Sequence, residues 1–120
     1  MPARPIALLG TAALLGVAGL AVPAAAAPKV TTVKLNGITF LGKPSAKLTA
    51  RVGDTLRFVW AGGAHDVRIS KSPAGFKRVQ ATTVVAKRAP LPVKLTKKGT
   101  YAFFCTPHRI VGMTLTVTVK

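Results

Sequence analysis

The chain has 120 residues, 49% of them hydrophobic, and carries 18 Lys and Arg against 2 Asp and Glu, a formal charge of +16. That length suits one domain, and a single cysteine excludes an internal disulfide. So basic a chain suggests nucleic acid, but few aromatics and no recognisable nucleic-acid motif argue against it.

The first 26 residues read as a secretory signal. Arg4 supplies a short positive region, Ile6 to Val22 form an apolar run, and Ala24, Ala25 and Ala26 are small residues of the kind a signal peptidase reads. The run approaches membrane-spanning length, so a retained anchor is the competing expectation. The small-residue end favours cleavage, and Pro28 disfavours a cut directly before it, so cleavage is expected after Ala26. The expected division is residues 1–26 as signal and 27–120 as the exported domain.

From Lys29 onward, short alternating segments rich in Val and Thr replace any helical period. Val30–Leu35 reads as a strand, continued by Ile38–Leu41 after Asn36-Gly37. Lys47–Val52 alternates, with Leu48, Ala50 and Val52 on one face. Gly53-Asp54 signals a turn before Thr55–Trp60, where Leu56, Phe58 and Trp60 share a face. After the break at Ala61–Ala64, His65, Val67 and Ile69 fall on the apolar side of His65–Ser70. Ala81–Ala86 and Leu91–Leu95 follow, then Tyr101–Cys105, and a last strand that opens at Met113. Seven to eight strands of this kind predict an all-β sandwich or barrel.

Chemistry concentrates in the loop between the last two strands. Cys105, His108 and Met113 stand at the spacing Cys-x2-His-x4-Met. Two imidazoles, a thiolate and a weak axial thioether make a blue-copper set. The loop lacks one imidazole, and the chain's other histidine, His65, begins a strand on its apolar face. Strand ends bring both to an end of the sandwich. A buried cysteine is often only a small hydrophobe, but an exported thiol without a disulfide partner is accounted for when it binds a metal.

Three blocks carry a family resemblance: Gly53-Asp-Thr-Leu-Arg-Phe-Val-Trp60, His65-Asp-Val67, and Gly99-Thr-Tyr-Ala-Phe-Phe-Cys105-Thr-Pro-His108-Arg-Ile-Val-Gly-Met113. They resemble the cupredoxins, small blue-copper proteins of the plastocyanin and pseudoazurin kind. The resemblance implies a Greek-key β-sandwich with copper at one end and single-electron transfer rather than enzymatic turnover. It makes His65 and His108 imidazole ligands, Cys105 a thiolate ligand and Met113 a long axial one. It also makes His108 the electron port, within an apolar docking collar of Pro107, Ile110 and Val111 to which Arg109 adds charge. Where the family commonly has asparagine after the first histidine, this chain has Asp66. That carboxylate is expected either to accept a hydrogen bond from Thr106, or else to point outward or pair with Arg68 or Arg109.

The basic surface implies acidic redox partners and attraction to anionic envelope polymers, with peripheral membrane association also open and a monomeric carrier expected. A copper store or delivery protein is the alternative function. The lack of a Met-rich or His-rich tract favours the carrier.

Overall fold

The computed structural model describes residues 27–120, so the expected signal peptide, residues 1–26, lies outside the described residues. Nine strands form two sheets: β1 (Val30–Asn36), β2 (Thr39–Phe40), β3 (Ala46–Ala50), β4 (Thr55–Gly62), β5 (His65–Lys71), β6 (Ala81–Val85), β7 (Leu91–Lys94), β8 (Gly99–Phe104) and β9 (Thr114–Val119). The sequence pattern predicts seven to eight strands. Ile38–Leu41, expected as a continuation of β1, instead folds back so that β2 pairs antiparallel with it.

One sheet runs β2-β1-β4-β7 and the other β3-β9-β8-β5-β6. β1 lies parallel to β4, and β3 parallel to β9, so the chain crosses between the sheets, while β1–β2, β5–β6 and β8–β9 pair with their chain neighbours. Period-two alternation puts Val33, Leu35, Leu56, Phe58 and Val93 inward from the first sheet, and Val67, Ile69, Tyr101, Phe103, Leu115 and Val117 from the second. Phe58 joins the layers: its ring lies 5.9 Å from Phe40 and 5.1 Å from Phe103. Emptying such a site by Phe58→Ala would cost about 3–5 kcal/mol. Val52 departs from the expected pattern. It sits in the turn after β3, outside the strand, and is exposed.

Two features of β8 and β9 orient the far end of the loop they enclose. Tyr101 Oη donates to the Lys97 carbonyl at 2.7 Å and accepts from the Lys97 N–H at 3.1 Å, fixing the entry to β8. β8 and β9 then pair from Gly99↔Val119 up to Phe104↔Thr114. Residues 105–113 therefore bridge two strands whose ends are locked side by side. Among the described residues no helix is long and apolar enough to cross a membrane.

Candidate metal centre

His65 opens β5, and its side chain faces inward and is fully buried. Two hydrogen bonds hold it. Its backbone carbonyl accepts from Trp60 Nε1 at 2.9 Å, and its ring Nε2 lies 2.5 Å from the Gly62 carbonyl. A carbonyl only accepts, so Nε2 carries the proton and Nδ1 presents a free lone pair. Gly63 permits this approach: it has φ +85°, and a Cβ there would stand 3.1 Å from His65 Nε2. Gly62-Gly63 falls in the expected break at Ala61–Ala64, but β4 continues through Gly62. The pair's further meaning was legible in its position just before a candidate ligand.

Cys105 leaves β8 in extended conformation, and Thr106–Val111 form a 3-10 turn with Pro107 in its first positions. The turn folds the loop back on itself. His108 N–H donates to the Cys105 carbonyl at 3.2 Å, Met113 N–H to the His108 carbonyl at 3.1 Å, and Cys105 N–H to the Met113 carbonyl at 3.2 Å. Cys105 and Met113 are buried, while His108 is half-buried. Met113 is thus tied by its backbone to both other loop residues.

The donors converge. Cys105 Sγ lies 3.6 Å from His65 Nδ1 and 3.6 Å from His108 Nδ1. One donor atom from each of the three lies within 4.8 Å of the others. With metal–nitrogen bonds of about 2.0 Å and metal–sulfur of about 2.3 Å, a trigonal arrangement separates nitrogen from sulfur by about 3.7 Å. The three side chains are therefore already spaced to receive a first-row ion. Burial pushes the Cys105 thiol up from its ordinary value, against hydrogen bonds that lower it, so loading a metal must expel the thiol proton.

Asp66 resolves the two alternatives by doing both. Period two turns it to the outer side of β5, yet it is fully buried because Thr106 covers it. It accepts from Thr106 N–H and Thr106 Oγ1, each at 2.6 Å, and pairs with Arg68 Nε at 2.9 Å. Burial raises its pKa, but the Thr106 bonds and the Arg68 guanidinium outweigh that and leave it below the ordinary 3.8. Arg109 does not join this pair. Its guanidinium stacks on the Phe104 ring at 3.9 Å. In the expected collar, Pro107 is exposed, Ile110 is 93% exposed and Val111 52% exposed.

A second fastening has no counterpart in the sequence reading. Ser45, at φ +47°, donates its N–H to the Gly112 carbonyl at 2.8 Å. Gly112 itself has φ +94°, and a Cβ there would meet Pro44 at 3.3 Å. The loop is thus pinned by Asp66 near its start and by the Lys43–Ser45 segment near its end.

A His65–Cys105–His108 centre with Met113 beside it fits one type 1 copper site. On this fold, that defines a blue-copper electron-transfer protein. Residues 27–120 match the copper-binding proteins of the plastocyanin/azurin family, and the chain belongs to that family. It is similar to a plastocyanin of Prochlorothrix hollandica, 38% identical over 104 residues, which span 83% of this chain and 79% of the relative. Among solved structures it is similar to the pseudoazurin of Methylobacterium extorquens AM1, with 28% identity and a TM-score of 0.61, covering 75% of this chain and 74% of that one. The fold also matches oxidised plastocyanin from Dryopteris crassirhizoma, with 23% identity and a TM-score of 0.59, covering 75% of this chain and all of the other.

Proposed function

We propose that the chain is an exported carrier of single electrons in which His65 Nδ1, His108 Nδ1, Cys105 Sγ and the Met113 thioether would hold copper. The observation that carries this reading is the convergence of two imidazoles on one buried thiol. Bound copper supplies a one-electron couple, with sulfur favouring the reduced ion and nitrogen the oxidised one.

The chain's own residues do the rest. Gly62 holds His65 in the tautomer that leaves Nδ1 free. Asp66 and Ser45 anchor the two ends of the ligand loop, which limits rearrangement between redox states. The burial of Cys105, His65 and Met113 excludes water from three of the four donors, while the half-buried His108 offers an edge for electron entry and exit. Four donors leave no vacant position for substrate, which favours a carrier over an enzyme.

Residues 1–26 are read as a signal removed after Ala26, leaving 27–120 as a monomeric copper domain of the periplasm or cell exterior. Pro107, Ile110 and Val111 form the collar on which a redox protein docks, and Arg109 biases it toward an acidic one. Peripheral membrane association and attraction to anionic envelope polymers follow from the same positive field.

Voltammetry of the copper-loaded protein tests the carrier role. A reversible one-electron couple is expected, together with oxidation of an acidic redox protein that slows as salt screens the field. An irreversible couple, with copper lost readily to a chelator, would assign storage or delivery instead.

A further inference from the structure

The attraction to anionic polymers has a specific address on the sandwich. Asp54 is 6% exposed and Asp66 is buried outright, so neither carboxylate relieves the surface charge. Among the described residues, Arg68–Asp66 is the one ion pair. The other described Lys and Arg make no ion pair, and three of them are aligned.

Lys34 on β1, Arg57 on β4 and Lys94 on β7 are all exposed on the outer face of the four-stranded sheet. Lys34 lies opposite Val59, two residues beyond Arg57. Lys94 lies opposite Thr55, two residues before it. At about 3.3 Å per residue and about 4.8 Å between strands, each step is about 8 Å, and the three Cα positions fall on one diagonal of about 16 Å. At its Lys34 end the diagonal enters a shallow pocket of about 240 Å³ lined by Thr32, Lys34, Asn36, Thr39, Leu41 and Gly42.

We propose that this diagonal is a binding track for one strand of a linear anionic glycan. Three regularly spaced cations meet a repeating anion, and the hydroxyls of Thr32 and Thr39 and the amide of Asn36 suit sugar hydroxyls at the pocket. Around the cations this face shows the exposed Thr32 and Pro92 and the half-buried Thr55 and Val59, with no aromatic ring on which nucleobases would stack. His65, Cys105, His108 and Met113 all come from the five-stranded sheet and its loops. The track is on the outer face of the other sheet, and its Lys34 end, where Asn36 pairs with Gly62, points toward the His65 end of the sandwich. The proposal rests on the reading that the chain meets anionic polymers and is independent of the copper ligands.

The test is titration of the copper-loaded protein with dextran sulfate, with neutral dextran, polyglutamate and single-stranded DNA run alongside. The variant Lys34→Gln/Arg57→Gln/Lys94→Gln is compared with an equal charge change at the exposed Lys71, Lys77 and Lys87, each to Gln. The track variant should flatten the slope of log affinity against log salt by about two, from about 0.7 per neutralised contact. The control triple should flatten it by less than half as much, and Arg57→Gln alone by about a third. An unchanged melting temperature in each variant excludes a folding effect. Equal losses in both triples would overturn the track while leaving a diffuse field. Polyglutamate or DNA binding as tightly as dextran sulfate would overturn the glycan, and no binding beyond neutral dextran would overturn the polymer reading as well.

Discussion

The chain's two carboxylates stand at opposite ends of β4 and do different work. Asp54, at the start of the strand, accepts the N–H of Lys29 at 2.9 Å and of Arg51 at 3.0 Å. Those backbone bonds, Lys29 first, hold its pKa below 3.8 against the opposing effect of burial. It ties the first described segment to the turn after β3. Asp66, beyond the other end, ties a strand to the ligand loop and also takes a guanidinium. Asp54 is therefore a fastening of the fold, whereas Asp66 fastens the site and sets the charge beside it. The Arg68 pair is what distinguishes them: it offsets a negative charge that would otherwise bear fully on the thiolate.

Acid should break both fastenings together, which is the largest effect expected. A carboxyl whose folded pKa is depressed contributes stability above its unfolded value and loses it as the pH falls through the folded one. Both groups are lowered from 3.8. Unfolding of the metal-free protein should thus lose midpoint below about pH 4, where no other acidic side chain titrates. A midpoint unchanged down to about pH 2 would remove both carboxylates from the account.

Asp66→Ala comes next. It removes the acceptor of the Thr106 N–H and hydroxyl and the carboxylate partner of Arg68, whose half-exposed guanidinium keeps its bond to the Thr82 carbonyl, so the loss is about 2 kcal/mol. Urea unfolding should show that loss, and copper affinity should fall with it. Asp54→Ala, by contrast, should lower the unfolding midpoint while leaving the copper spectrum as it was. A changed spectrum in that variant would erase the distinction between the two ends.

Gly112→Ala probes the other fastening. A side chain at φ +94° is strained by about 1–2 kcal/mol, and its Cβ presses on Pro44. Faster amide exchange at Ser45 and Met113 is expected, with a shift in the thiolate-to-copper band. Unaltered exchange would mean that the Lys43–Ser45 segment does not brace the loop.

Asp66→Asn is the mildest change. It keeps the shape and one acceptor, for the Thr106 N–H, but sets an NH2 against Arg68 Nε and removes the charge, so stability should fall by about 1 kcal/mol while the reduction potential rises, because less negative charge remains to favour Cu(II). Arg68→Gln should move the potential the other way. Potentials unmoved in both variants would leave Asp66 only a structural role.

Sequence pattern exposed the residues that cluster as His65, Cys105 and His108 because period two and strand ends are local properties. His65 on an inner face and Cys105 at a strand terminus could be read from alternation alone. Alternation could not reveal how Asp66, turned outward, becomes buried, since Thr106 covers it from forty residues away. Nor could it find Ser45, whose contribution is a backbone N–H and carries no side-chain signature. Val52 fails for the reverse reason: its spacing fits β3, but the turn into Gly53-Asp54 begins before it. The Asp66–Thr106 bond came within reach only through the family resemblance, and the Ser45 bond not at all.

The absorption spectrum of residues 27–120 with Cu(II) tests the centre most directly. An intense thiolate-to-copper band in the visible is expected, absent from Cys105→Ser while that variant keeps its fold. A colourless adduct in the unmodified protein would contradict a thiolate-bound type 1 site.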